Sequence, residues 1–454
     1  MREYSLPILF SYCTYIRKKA QQSSPLRKMN LCRVICLLFW FYKIVGLGTF
    51  SLNKKILEKK EKCSKNVFFF VKSKLGIVYN FLLSCFVIML YYIVVPFVND
   101  VEYPYKTKFT GTLELSQVLL GCFMTCFILL YFCSNQSAFV RIGNCLILAT
   151  DTLCRLQQPL SRTNLLCLFI IAYIFNFILL LTLGISEVLT TSAPYLYHVG
   201  TITPVAVLSL FFIQYFTVLV IANAIFVAIN RIIKQIQRSS IDDFNMKIFY
   251  NRRLFVSSSG IQLLVQMREL HDYVCNVSTE ISRLYSLPTL IVLCFIFYSF
   301  LYNVYYFFGP LIMNASFETV TIINSTIWVV ILLYPLTLVT TKVIEITAEV
   351  CELEIYLRAE AFKWALITLQ IESTGNIVHA LLNRVIDRET KAELEQFSLQ
   401  LLHRKVKFTA YGYFTLDNSL LRAMIGTVAT YMVILIQFQM ETPPKTRADN
   451  CTQQ

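Results

Sequence analysis

The chain has 454 residues, 56% hydrophobic and 15% charged, with a net charge of +14 and a mean hydropathy of +0.59. A soluble domain carries roughly a quarter charged residues, so this composition excludes an ordinary water-soluble enzyme or nucleic-acid-binding module and points to the bilayer as solvent. The charge is uneven: residues 1–73 hold 15 Lys or Arg against Glu3, Glu58 and Glu61, and with apolar runs following it this basic arm reads as the positive flank of a cytosolic amino terminus, in reach of anionic lipid.

In chain order, the stretch 31–50 is apolar but short and interrupted by Arg33 and Lys43, which suits an interfacial or re-entrant helix. Seven stretches then reach the length a spanning helix needs, about 20 mostly apolar residues: 75–98, 113–134, 165–189, 204–230, 286–313, 321–342 and 419–440. With the amino terminus inside, the outer loops fall near 99–112, 190–203 and 314–320. The second and third contain no Lys or Arg. The inner segments carry Arg141, Arg155 and Arg162, then Arg231, Lys234 and Arg238, then Arg384, Arg388 and Arg404. This asymmetry puts the carboxyl terminus outside, the reverse of a G-protein-coupled receptor. The sequons at Asn314 and Asn450 then lie outside and are candidate glycosylation sites.

The long inner segments read as helices that continue out of the membrane. In 342–370, Val343, Ile346, Val350, Leu353 and Leu357 recur at spacings of three and four, with Glu349, Glu352 and Arg358 between them. Residues 386–407 give a second such helix, acidic at its start and basic at its end. The fold class is therefore all-α, with seven transmembrane helices and cytosolic helical extensions.

The seventh span begins at Asp417, a good amino-terminal cap. One face carries Ala423, Gly426, Thr427, Thr430, Ile434, Gln437 and Glu441, small or polar throughout. Small residues allow close helix packing. The same stripe also suits a water path, with Ile434 and Phe438 as a hydrophobic constriction beside Gln437. One helix encloses no pore, so that second reading needs copies about a symmetry axis.

Thr430-Tyr431, five apolar residues and then Gln437-Phe438 match the last-span signature of insect gustatory receptors. Tyr413-Phe414-Thr415-Leu416-Asp417 and Lys43-Ile-Val-Gly-Leu-Gly48 also resemble that family. The resemblance implies a tetrameric ligand-gated cation channel, homomeric or heteromeric, opened by a small tastant such as a sugar or a bitter compound. It implies a plasma-membrane location in chemosensory neurons, including dendrites and axons. In it Thr430 and Tyr431 match the start of the motif, Gln437 and Phe438 the gate. The chain then divides into a basic amino terminus (1–73), helices one to six with an outer ligand cavity (75–342), a cytosolic helical anchor (343–417), a pore-lining seventh helix (418–440) and an outer tail (441–454). A metabotropic receptor, a secondary transporter or a co-subunit without its own ligand are the competing readings.

For the ligand, the outer half of the fifth span offers Tyr302 and Tyr306, the start of the sixth Asn324, Ser325 and Trp328, and nearby outer ends Glu187 and His198. Aromatic walls with a few polar groups suit a sugar or an alkaloid alike, and an interfacial aromatic belt would gather the same residue types. Asn324 and Trp328 lie four apart, on one helix face. No His partners the 15 Cys at zinc spacing, and no nucleophile is paired with a base. The expectation is no metal, no cofactor, no nucleic acid and no enzymatic activity.

Overall fold

The computed structural model describes Leu38 and residues 40–53, 69–100, 108–156, 162–191, 193–250, 258–312, 319–372, 396 and 406–441. The helices are α1 (Lys74–Asp100), α2 (Lys108–Ser134), α3 (Gln136–Arg155), α4 (Arg162–Thr190), α5 (Tyr195–Tyr250), α6 (Ser258–Ile312), α7 (Thr319–Glu372) and α8 (Asn418–Glu441). Two short antiparallel hairpins accompany them, β1 (Ser51–Asn53) with β2 (Phe69–Val71), and β3 (Thr409–Ala410) with β4 (Phe414–Thr415).

Seven of the described helices are long and apolar enough to cross a bilayer, namely α1 to α7. Six of them coincide with expected spans and have mean hydropathies of 2.0 to 2.7, whereas α3 reaches only 1.2. The packing of α3 separates it from the others. Its buried stripe of Ile142, Leu146, Ala149 and Leu153 lies against the amino-terminal half of α6, and Arg141 Nε bonds Glu280 Oε2 at 2.9 Å. It belongs with the helical extensions, in a stretch the sequence marked only as an inner basic segment. The expected seventh span is α8, whose 24 residues reach about 36 Å at 1.5 Å per residue.

The extensions are uninterrupted. α5, α6 and α7 run for 56, 55 and 54 residues, far beyond the length a bilayer needs. Val343, Ile346, Val350 and Leu353 are all buried, as their period requires. A polar ladder ties α5 to α7 along the extension. Asn223 Nδ2 donates to Glu345 Oε2 at 3.0 Å, Asn230 Nδ2 to the Glu349 carbonyl at 3.0 Å, and Lys234 Nζ to Glu352 Oε1 at 2.6 Å. The helix expected over 386–407 falls almost wholly outside the described residues.

α5 is the axis of the bundle. Phe211, Phe212, Ile213, Tyr215 and Phe216 are nearly consecutive and all buried, because α2, α4, α6 and α7 surround them. Lipid tails are as apolar as these side chains, so close fit and dispersion hold the helices together rather than dehydration. Gly200 shows how tight that fit is: a Cβ there would lie 2.7 Å from Val94 Cγ2 of α1.

Residues 40–50 make a helical turn and then irregular chain inside the bundle, with Tyr42 and Leu47 buried. Backbone without its own hydrogen bonds is tolerated there only where side chains supply them. Asn80 Nδ2 donates to the Gly46 carbonyl at 2.5 Å, Gln214 Nε2 to that of Leu47 at 3.0 Å, and Gln136 Nε2 to that of Thr49 at 2.5 Å. Gly46 has φ +87° and sits against Leu129, which accounts for glycine at that point of the Lys43–Gly48 motif. Next in the chain, Asn144 of α3 clasps Phe70 of β2 at both its N–H (2.8 Å) and its carbonyl (3.0 Å).

A cavity at one end of the bundle and the exposed face of α8

Opposite the extensions, the ends of α2, α4, α5, α6 and α7 converge on a cavity of about 70 Å³. One water needs on the order of 10–15 Å³, so the space admits a small ligand or its head group. Glu114, Gln117 and Val118 come from α2, and Glu187 and Thr190 from α4. Tyr197, Gly200, Thr201 and Pro204 come from α5, Phe295, Tyr302, Asn303 and Tyr306 from α6, and Asn324 and Trp328 from α7.

Five residues expected from the sequence meet here: Glu187, Tyr302, Tyr306, Asn324 and Trp328. Their centre is Glu187, whose Oε1 accepts from Asn324 Nδ2 at 3.1 Å and from the indole Nε1 of Trp328. Asn324 Oδ1 in turn accepts from Ser186 Oγ at 2.7 Å. The spacing of Asn324 and Trp328 explains their joint reach: four residues put both donors on one face of α7, level with one carboxylate of α4. Tyr302 and Tyr306 repeat that spacing on α6, their rings 6.2 Å apart and nearly parallel.

Two expected residues do not line the cavity. Ser325 is buried beside it, and His198 is buried with its ring edge-on to Tyr197, 5.5 Å between centroids. Along α5 a step of one residue turns a side chain by about 100°, so Tyr197 faces the space and His198 does not. Glu114 was missed among the expected residues. It is buried, and Tyr197 donates its hydroxyl to Glu114 Oε1 at 2.5 Å. The available signal was an acid inside a span, which marks function by default.

α8 packs chiefly on α6, with smaller contacts to α7 and β4. It buries one stripe, Leu420, Met424, Val428 and Met432, at a spacing of four. Val428 and Met432 meet Phe300 and Tyr305 of α6. Of the small and polar stripe, Ala423, Gly426, Thr427, Thr430, Ile434 and Gln437 are all exposed. A Cβ on Gly426 would meet nothing within 4 Å. The hydroxyls of Thr427 and Thr430 turn back to the carbonyls of Ala423 (2.7 Å) and Gly426 (3.0 Å), so they serve their own helix. Tyr431 of the motif lies edge-on to Phe297 of α6, centroids 6.3 Å apart. The side chains of Phe438 and Glu441, and all of Asn314 and Asn450, lie outside the described residues.

The foot of α8 is capped. Asp417 Oδ1 accepts from the Ser419 N–H at 2.8 Å, and Oδ2 from Thr415 Oγ1 at 2.8 Å. The side-chain hydrogen bond from Ser419 is the main reason its carboxyl sits below the ordinary range. The β3–β4 hairpin, with Tyr411 at φ 52° and Gly412 at φ 80°, fixes that foot on α6, where Ser286 Oγ accepts from the Tyr411 N–H at 2.6 Å. The motif Tyr413–Asp417 is thus a turn, a strand and a cap.

Comparison with known proteins decides the family. The model of the 7tm chemosensory receptor family matches residues 35–442. The chain belongs to that family. Among curated proteins the receptor is similar to gustatory receptor 28b of Drosophila melanogaster (a designation that protein carries provisionally), 25% identical over 304 residues, 59% of each chain. The match therefore spans about six tenths of that relative's length. Among solved structures it resembles the insect olfactory receptor OR5 from Machilis hrabei, with a TM-score of 0.59 at 12% identity over 90% of this chain and 98% of that one. The same protein in complex with eugenol gives a TM-score of 0.56 at 13% identity, over the same shares. The resemblance read from Thr430–Phe438 thus agrees with a family that residues 35–442 match, one of multi-pass membrane chemoreceptors and not of enzymes. Among the described residues no group of three or more His, Cys, Asp or Glu is placed to hold a metal ion.

Proposed function

We propose that this receptor is a subunit of a tetrameric, ligand-gated cation channel of the plasma membrane of sensory neurons, opened by a small tastant in the cavity of Glu187 and Trp328. The observation that carries the reading is the exposed face of α8. Gln437 is a polar side chain exposed in a membrane span, where polar groups cost free energy unless they meet protein or water, and Gly426 and Thr430 on the same face are exposed beside it. Copies of α8 about a central axis supply that partner and enclose a water path. Gln437 and Phe438 are its gate, Ile434 narrows it one turn away, and Glu441 gives its outer mouth the negative charge that favours cations. The amino terminus lies in the cytosol and the tail from residue 441 outside, with Asn314 and Asn450 open to glycosylation. The eugenol complex of the olfactory receptor that shares this fold supports a small organic molecule as ligand.

The test is whole-cell recording from cells expressing the chain alone, during application of sugars and bitter compounds, with Phe438→Ala in parallel. A ligand-evoked cation current whose gating Phe438→Ala alters is the expected result. A response that appears only through a G protein overturns the channel. Silence despite surface expression points to an obligate second subunit or to a ligand outside the panel.

A further inference from the structure

The wall that α4 and α7 give the cavity is a hydrogen-bond network with one oxygen left over. Ser186 Oγ donates to Asn324 Oδ1 at 2.7 Å, and Asn324 Nδ2 (3.1 Å) and Trp328 Nε1 both donate to Glu187 Oε1. All four residues are buried, Glu187 at 7% exposure. Its other oxygen, Oε2, takes no donor from a described residue and is not sealed inside the protein, which leaves it to the cavity that Glu187 lines. Other polar side chains of the lining turn to their own helices. The Thr190 hydroxyl donates to the Ser186 carbonyl, that of Thr201 to the His198 carbonyl at 3.1 Å, and Asn303 Nδ2 to the Ser299 carbonyl at 2.7 Å. Much of the remaining surface is ring and hydrocarbon, with Val118, Pro204, Phe295 and the nearly parallel rings of Tyr302 and Tyr306.

We propose that the cavity takes a ring-bearing alcohol or phenol, its hydroxyl on Glu187 Oε2 and its ring against Phe295 and the Tyr302–Tyr306 pair. The proposal rests on the reading of this cavity as the tastant site and narrows its ligand. A hydroxyl both donates and accepts, so it pairs with that oxygen whether or not the carboxyl carries a proton. The aromatic walls suit an offset or edge-on ring. A hydrocarbon of the same shape fills the space but leaves the oxygen unpaired in a site closed to water, and an unpaired buried polar atom weakens binding.

The experiment compares 2-phenylethanol with propylbenzene, in which a methyl group replaces the hydroxyl. Both are titrated calorimetrically into the full-length receptor in lipid nanodiscs, and the heat from receptor-free nanodiscs is subtracted. The alcohol is expected to bind at least about tenfold more tightly, because a site that pairs a ligand hydroxyl rejects the analogue without it. Glu187→Met abolishes that preference. Glu187→Gln keeps it within about threefold, because the amide nitrogen donates to the same hydroxyl. Equal binding of the two probes overturns the proposal, as does no binding by the alcohol or an undiminished preference in Glu187→Met. If Glu187→Met is not monodisperse, the ratios in the unmodified receptor and in Glu187→Gln decide. Binding is read without gating, so the two readings fail separately. Alcohol binding beside a response that appears only through a G protein refutes the channel and supports the hydroxyl site. Currents evoked by tastants, with no alcohol binding, refute the hydroxyl site and leave the channel standing.

Discussion

α5 and α8 are both apolar spans, yet the fold treats them in opposite ways. α5 is enclosed on every side, with Phe211, Phe212, Ile213, Tyr215 and Phe216 buried. α8 is anchored along one stripe, Leu420 to Met432, and open elsewhere, Ile425 at 53% and Val433 at 55%. A helix surrounded by its own chain carries stability. A helix leaning on it by one edge leaves its other faces open to lipid or to a further partner.

Substitution separates the two most sharply at large side chains. Phe212→Ala in α5 is expected to cost about 3–5 kcal/mol through the cavity it leaves, seen as loss of the monodisperse peak in size-exclusion chromatography of detergent extracts. Ile425→Ala in α8 is expected to leave that peak in place. A Phe212→Ala receptor as abundant as the unmodified one would break the comparison.

Glycines sharpen it, because one substitution has opposite signs in the two helices. Gly200→Ala drives a methyl to 2.7 Å from Val94 Cγ2, and overpacking of this kind costs about 1–3 kcal/mol. Gly426→Ala meets open space and gains up to about 1 kcal/mol of helix propensity. Thermal denaturation followed by tryptophan fluorescence should show a lower midpoint for the first and an unchanged or raised one for the second. If the α8 face lines a pore, Gly426→Ala also changes unitary conductance, a change that Gly200→Ala lacks.

The smallest effect lies at the foot of α8. Asp417→Ala should cost about 1 kcal/mol of cap, read as a lower thermal midpoint. The carboxyl is held below the ordinary range, chiefly by the Ser419 hydroxyl. Its contribution is therefore present in full above the ordinary carboxylate pKa and is lost as pH falls through the lowered value. Asp417→Asn is expected to flatten that acid-side slope in the same thermal assay, and an unchanged slope would show that the cap carries no charge.

Much of this was legible along the chain. The six spans from α1 to α7 other than α3 announced themselves by length and hydropathy, and Val343 to Leu353 by their period. Asp417 as cap and the α8 stripe followed from spacing within one helix. α3 did not, since its hydropathy of 1.2 leaves it between an amphipathic surface helix and a span, and only its packing, with Arg141 on Glu280 of α6, sets it beside the extensions. Nor did the clasp of Asn80, Gln136 and Gln214 on the carbonyls of residues 46–49, because each partner lies far away in sequence. In the cavity, Glu187, Asn324 and Trp328 were named from their place at helix ends, but Glu114 and the inward turn of Tyr197 rather than His198 were not.

The sequence by itself determined that this chain is a multi-pass membrane protein, where its spans run and which faces of α7 and α8 are apolar. Those properties are local, set by the transfer free energy of each residue and the helical repeat. Only the tertiary structure decided which side chains meet. Five helices bring Glu114, Glu187, Tyr302 and Trp328 to one cavity, and α8 presents one stripe to α6 and the other outward. Rotation and depth of each helix come from packing against its neighbours, and no single helix encodes them.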